Sequence, residues 1–173
     1  MVSGDERISG AYNYGSAERQ DSGDHGTAAG RNCKYQMAGR METILPGVIV
    51  DGAHNEDGVR RFVETAERFQ KEYPLTLLFS AVNDKDYQDM IHTICSRIKF
   101  RKVVTTEVGG YREVPSAELA EIFCKEGCKD VGNSDNIEEA FHMAHEAKGE
   151  DGMLFCVGSL YLVGEIKTLL LKK

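Results

Sequence analysis

The sequence has no long apolar run and no segment typical of a secretory signal. None of its 173 residues fall in a stretch that approaches the roughly 20 apolar residues a membrane-spanning helix needs. Its first residues lack the basic segment followed by an apolar one that marks secreted proteins. The sequence therefore predicts a cytoplasmic protein with no membrane partner.

The chain also lacks an excess of basic residues. It has 28 acidic residues against 21 basic ones, a net charge of -7, and the charges are spread along the chain. Proteins that bind nucleic acids or anionic membranes present basic surfaces, so neither is an expected partner. A hydrophobic fraction of 41% and a mean hydropathy of -0.39 are typical of a globular protein of one domain, long enough to bury a core.

The cysteines lack the spacing of a zinc site. There are five of them, at positions 33, 95, 124, 128 and 156. Cys124 and Cys128 are four residues apart at the end of a predicted helix and do not form a C-x-x-C pair. We predict free thiols in a reducing compartment, and no metal site.

The first 37 residues differ from the rest. They are rich in Gly, Ser, Asp and Arg and show no apolar periodicity, so we expect residues 1–37 to be a disordered tail or leader. Residues 38–173 form the predicted globular domain.

From residue 38 onward, strand and helix patterns alternate about five times. "METILPGVIVD" predicts two short strands joined at Pro46-Gly47, and the later strands are "LTLLFSAV", "FRKVVTT", a short one around Val131 and "GMLFCVGS". Predicted helices follow Asn55 and Ser134, both expected as N-caps, and also occupy "DKDYQDMIHTICSRI", "PSAELAEIFCKEG" and "LYLVGEIKTLLLKK".

Most of these strands are apolar on both faces, which is typical of a parallel sheet covered by helices on both sides. The predicted fold is α/β: a Rossmann-like three-layer α/β/α domain with a mainly parallel sheet of about six strands and an antiparallel edge strand. Such sheets bind ligands outside the carboxyl ends of their strands, where the strand order reverses.

Three predicted loops follow strands at that edge: "DGAHN" (51–55), "SAVNDKD" (80–86) and "VGS" (157–159). Asp51 could accept hydrogen bonds from a ribose or from the water shell of a cation. His54 is a donor or acceptor near neutral pH. Ser159 opens a helix whose free N–H groups attract an anion such as a carboxylate. The alternative for Asp51 and Ser159 is a purely structural capping role.

Two motifs, "GRMETILPGVIVDGAHNEDG" and "VGSLYLVGEI", resemble the C-terminal domain of folylpolyglutamate synthase, also called dihydrofolate synthase, in the Mur ligase superfamily. The resemblance extends through "FSAVNDKD" and "YREVPSAELAE" and covers residues 37–173. One departure is Met37-Ala38, where the family usually has Trp-Pro.

The resemblance implies an ATP-dependent ligase that forms an amide bond. ATP phosphorylates a carboxylate of a folate or dihydropteroate, and the amino group of L-glutamate attacks the acyl phosphate, with Mg²⁺ as a further cofactor. Arg40 would contact the ATP phosphates, Asp51 the ribose, and Asn55 either the nucleotide or its own helix. His54, as the catalytic residue, and Ser159 would lie near the incoming glutamate. Lys85 and Arg112 would either contact substrate or be surface charges.

The chain contains no G-x-x-x-x-G-K-[ST] phosphate-binding loop. In the family that loop and most Mg²⁺ ligands belong to a larger N-terminal domain, which would be the partner of this one. We therefore expect the chain to fold as a monomer and not to catalyse by itself. The alternatives are a non-catalytic nucleotide- or amino-acid-binding domain and a receiver-type signalling module. Gly158-Ser159 disfavours the second, because a receiver needs a lysine after a late strand.

Overall fold

The computed structural model describes residues 40–110 and 112–172. The predicted tail, residues 1–37, lies outside this part of the chain. None of the helices in the described ranges has both the length and the apolar character needed to cross a membrane.

Strands and helices alternate through the described residues after an initial strand pair. The strands are β1 (Glu42–Leu45), β2 (Val48–Asp51), β3 (Leu75–Phe79), β4 (Phe100–Thr106), β5 (Val131–Ser134) and β6 (Met153–Val157). The helices are α1 (Glu56–Phe69), α2 (Tyr87–Arg97), α3 (Ser116–Lys125), α4 (Ile137–Lys148) and α5 (Leu160–Leu171).

The six strands form one sheet in the order β1-β2-β6-β3-β4-β5. β1 and β2 pair antiparallel through the turn at Pro46-Gly47, and all other neighbours are parallel. The chain moves outward from β2 through β3 and β4 to β5 and then returns, so that β6 lies between β2 and β3. This confirms the predicted mainly parallel sheet with an antiparallel edge strand.

Helices cover both faces of the sheet. On one face α1, α2 and α3 pack over a core that includes Phe62, Phe79, Phe123 and Phe155. This core contains two edge-to-face ring contacts. The ring centroids of Phe62 and Phe155 are 5.4 Å apart, and those of Phe79 and Phe123 are 5.3 Å apart. On the other face α4 and α5 cover the alternate strand residues, such as Leu78 and Val104. The three-layer prediction is therefore confirmed.

One predicted cap was wrong. Ser134 is the last residue of β5, and the N-cap of α4 is Asn136, whose side chain accepts a hydrogen bond from the backbone N–H of Glu139. Ser134 and Asn136 are both good caps. β5 pairs with β4 as far as Ser134, which lies opposite Thr106. Because Ser134 belongs to this strand, the N-cap of α4 lies two residues later than predicted.

Candidate functional site

The three predicted loops meet at the carboxyl edge of the sheet. They follow β2, β6 and β3, which are adjacent strands, and this is the point at which the strand order reverses. The backbone N–H of Ser80 donates to the carbonyl of Val157 at 3.3 Å, which joins the loop after β3 to the end of β6. The sheet thus brings together segments that are about 30 and 75 residues apart in the chain.

Gly158 allows the closest approach within this edge. Its φ is +111°, a conformation that favours glycine. A Cβ atom there would lie 2.1 Å from the carbonyl oxygen of Ser80. The glycine therefore permits the loop before α5 to lie directly against the end of β3.

A second segment joins the edge from the region before α3. The N–H of Asn83 donates to the carbonyl of Arg112 at 2.8 Å, and the N–H of Val114 donates to the carbonyl of Ala81 at 3.3 Å. The guanidinium of Arg112 also donates to Asp84, at 3.2 Å. These contacts place Arg112 beside the loop that contains Lys85.

A cavity of about 170 Å³ lies where these segments meet. Four predicted candidates line it: His54, Lys85, Arg112 and Ser159, together with Val82, Asp84, Leu160 and Tyr161. The structure thus brings His54 and Ser159, which the family resemblance places near the incoming glutamate, together with Lys85 and Arg112, for which a surface role was the alternative.

The sequence reasoning did not single out Leu160 or Tyr161. Leu160 is 55% exposed and Tyr161 58%, so both present apolar surface in the first turn of α5. The only signal in the sequence was their position inside the "VGSLYLVGEI" motif.

His54 is oriented by its own loop. Its Nδ1 lies 2.7 Å from the carbonyl oxygen of Gly52. Because a carbonyl only accepts hydrogen bonds, Nδ1 must bear the proton, and in the neutral ring Nε2 then has a free lone pair. The residue lines the cavity with a ring that can accept a proton.

Ser159 is the N-cap of α5 and lines the cavity. Its hydroxyl oxygen accepts from the N–H of Tyr161 at 3.1 Å, and the residue is buried. One of the free N–H groups of this helix start is therefore satisfied within the chain. The remaining ones and the helix dipole favour an anion at this position.

Asp51 and Arg40 form a separate group beside β1. The carboxylate of Asp51 is buried and accepts from the N–H groups of Ala53 (2.8 Å) and Met41 (2.9 Å). Burial raises the pKa of Asp51, while these two hydrogen bonds and the charge of Arg40 oppose that rise. The carboxylate thereby ties the Arg40 segment to the end of β2. Neither residue lines the cavity.

Asn55 is the N-cap of α1: its side-chain oxygen accepts from the N–H of Gly58 at 2.9 Å. The structural alternative that the sequence left open is thus observed. The residue also lines a second cavity, of about 220 Å³, at the starts of α1 and α2. Lys85 and Asp84 line both cavities, so the two are adjacent.

Within residues 40–110 and 112–172, no three His, Cys, Asp or Glu side chains lie close enough together to hold a metal ion.

Comparison with known proteins gives a consistent result. The model of the family described as "Mur ligase, glutamate ligase domain" matches residues 39–160. The dihydrofolate synthase/folylpolyglutamate synthase of Bacillus subtilis (strain 168) is 30% identical over 140 residues, which are 78% of this chain and 30% of that protein. A probable bifunctional folylpolyglutamate synthase/dihydropteroate synthase of Haloferax volcanii is 28% identical over 132 residues, covering 75% of this chain and 15% of the relative.

Solved structures show the same fold. Mycobacterium tuberculosis folylpolyglutamate synthase complexed with ADP and AMPPCP superposes with a TM-score of 0.64 at 26% identity, over 76% of this chain and 31% of that one. E. coli FolC in complex with DHPP and ADP gives a TM-score of 0.69 at 18% identity, over 78% of this chain and 31% of that one. The chain spans less than a third of the length of each of these relatives.

Proposed function

Because the chain belongs to the Mur ligase family, through its glutamate ligase domain, we propose that it forms the glutamate-binding part of an ATP-dependent ligase that adds L-glutamate to a folate or a dihydropteroate. The resemblance inferred from the motifs is confirmed by the family match. The single observation that carries the proposal is the cavity that brings His54, Lys85, Arg112 and Ser159 together.

The charges around the cavity suit an amino acid with two carboxylates. Lys85 and Arg112 supply positive charge, of which Asp84 neutralises a part through its bond to Arg112, and the start of α5 at Ser159 supplies free N–H groups. Sites for drug-sized ligands occupy roughly 300–1,000 Å³, whereas this cavity occupies about 170 Å³. That size supports L-glutamate as its occupant in preference to a folate or a nucleotide.

His54 is the proposed catalytic residue. An incoming glutamate has a protonated amino group, which must lose a proton before nitrogen can attack a carbonyl carbon. The free Nε2 of His54 can accept that proton, while the bond from Nδ1 to Gly52 holds the ring in place. This assignment rests on the tautomer and on the position of the ring at the cavity.

ATP would supply the phosphoryl group that activates the carboxylate of the folate. Arg40 would lie next to its phosphates, and Asp51 and Asn55 near its ribose. As the family resemblance implies, the proposal places most of the Mg²⁺ ligands in a partner domain with a phosphate-binding loop.

A two-dimensional amide NMR titration with L-glutamate, with Mg-ATP and with both tests this proposal. We expect saturable shifts at His54, Lys85 and Ser159 with L-glutamate, and at Arg40 and Asp51 with Mg-ATP. Lys85→Ala should weaken the glutamate response at least several-fold, because it removes a charge that faces the ligand.

Lys71→Ala is the control, since it removes an equal charge from the exposed end of α1, away from the cavity. A flat response to millimolar L-glutamate in a folded protein would contradict the proposed glutamate site. A response to glutamate but not to Mg-ATP would instead favour an amino-acid-binding domain without ligase chemistry.

A further inference from the structure

Two cysteines that are distant in sequence are in contact in the fold. The Sγ atoms of Cys95 and Cys128 lie 3.6 Å apart, and 33 residues separate them in the chain. Cys95 belongs to the last turn of α2, and Cys128 follows the end of α3. This contact lies on the helix layer, and neither cysteine lines the cavities described above.

Both thiols are held in place by their surroundings. The N–H of Cys128 donates to the carbonyl of Phe123 at 3.1 Å, in a turn that Gly127 makes with a φ of +94°. Cys95 is part of a helix, and both cysteines pack half-buried against the core beneath α1, α2 and α3. The two sulfur atoms therefore lie close together because each cysteine belongs to a segment whose backbone is hydrogen-bonded.

Two polar contacts on the N-terminal side of the cysteine pair join the same two segments. His92 and Glu126 are 2.9 Å apart, and the hydroxyl of Tyr87 donates to Glu118 at 2.7 Å. These contacts keep α2 beside α3 and the turn that follows it. A disulfide requires the sulfur atoms, which are 3.6 Å apart, to approach to about 2.05 Å.

We propose that Cys95 and Cys128 form a reversible disulfide that cross-links α2 to the end of α3, with a small-molecule disulfide such as oxidised glutathione as the oxidant. The thiolate of Cys128 attacks one sulfur of the oxidant and releases one equivalent of reduced thiol. The thiolate of Cys95 then attacks the Cys128 sulfur of this mixed disulfide and releases the second. Two protons leave the cysteines, and two electrons pass to the oxidant.

Either sulfur can be the donor in this contact, and the order of attack depends on which one is. With the thiol of Cys95 as the donor, the hydrogen bond lowers the pKa of Cys128, and the same bond together with burial raises the pKa of Cys95. Cys128 is thus the thiol that ionises first, and the thiolate is the nucleophile in disulfide exchange.

The other described cysteines cannot replace this pair. Cys156 is fully buried in β6, and its burial raises the pKa of that thiol. Cys124 is exposed on α3. The sulfur atom of Cys128 contacts that of Cys95 and not that of Cys124. The cross-link would close a loop containing β4 and α3, and would restrict the unfolded chain over that length.

The test is to incubate the reduced full chain with increasing ratios of oxidised to reduced glutathione, trap the thiols by alkylation and map tryptic peptides. Arg97, Lys125 and other basic residues separate the cysteines, so the expected product links DYQDMIHTICSR (86–97) to EGCK (126–129). We also expect the thermal unfolding midpoint of the oxidised chain to rise by about 5 °C or more over the reduced one.

Single substitutions separate this disulfide from general thiol reactivity. Cys124→Ser should leave the linked peptide unchanged. Cys95→Ser should accumulate glutathione on Cys128, because the second step is blocked, whereas Cys128→Ser should leave Cys95 largely unmodified. In the samples that keep Cys124, glutathione on this exposed residue shows that the reagent has reacted.

Absence of the linked peptide under conditions that fully modify Cys124 would overturn the proposal. So would a peptide that joins Cys128 to Cys124. Equal glutathione uptake at Cys95 and Cys128 in the two single variants would overturn the proposed order of attack.

Discussion

Gly158 shows how much one residue decides at the carboxyl edge of the sheet. Its φ of +111° and the 2.1 Å that would separate an added Cβ from the carbonyl of Ser80 leave no room for any side chain. We predict that Gly158→Ala lowers the free energy of unfolding by about 3 kcal/mol or more, because strain and a backbone clash combine. Urea unfolding followed by circular dichroism measures the change.

Gly164 provides a matched control for that substitution. It lies on the exposed face of α5, where an added Cβ meets nothing within 4 Å. Gly164→Ala should raise the stability by about 0.5–1 kcal/mol, since alanine restricts the unfolded chain and favours the helix. A similar loss for both variants would show that the approach to Ser80 is not the cause.

At the scale of elements, side-chain caps set where the helices begin. Asn55, Asp86, Asn136 and Ser159 all accept a hydrogen bond from a backbone N–H in the first turn of the following helix. Three of these helices start directly after a loop at the carboxyl edge of the sheet. The caps therefore stabilise the helices and also hold the loops that line the candidate site.

The cap of α1 can be tested without any ligand. Asn55→Ala should lower the free energy of unfolding by about 1 kcal/mol, because it leaves the N–H of Gly58 unpaired. Asn55→Asp should restore most of the loss, since a carboxylate accepts the same bond and favours the start of a helix. If both variants were equally destabilised in urea unfolding, the side-chain amide of Asn55 would have a role beyond capping.

The whole molecule depends on its last strand. β6 pairs with both β2 and β3 and lies near the centre of the sheet, although it is the last strand in the chain. It also contributes the buried Phe155 and Val157 to the core. The pair β1-β2 and the group β3-β4-β5 therefore have no direct strand contact with each other, and only β6 joins them.

Truncation tests this dependence. A chain that ends at Gly149 lacks β6 and α5, and we expect it to lose cooperative unfolding and the dispersion of its amide NMR spectrum. Removal of residues 171–173 is the control, because Leu171 is 87% exposed and contributes little to the core. Cooperative unfolding of the shorter chain would show that β1 to β5 form a stable sheet without β6.

The sequence by itself determined the type and order of the elements and most of the candidate residues. Local signals suffice for this: the 3.6-residue period of Val59, Phe62, Val63 and Ala66 in α1, the turn at Pro46-Gly47, and motifs that lie within a few consecutive residues. Local signals failed only where a neighbouring strand intervened, as when the pairing of β5 with β4 moved the cap of α4 from Ser134 to Asn136.

Tertiary structure alone decided which of these residues meet. The insertion of β6 between β2 and β3 brings His54 and Ser159 to one cavity, and the bond from Asn83 to Arg112 adds a cation from a segment nearly thirty residues away. The contact of Cys95 with Cys128 likewise follows from the packing of α2 against α3. Such contacts depend on the burial of apolar faces across the whole sheet, and no pattern within one segment records them.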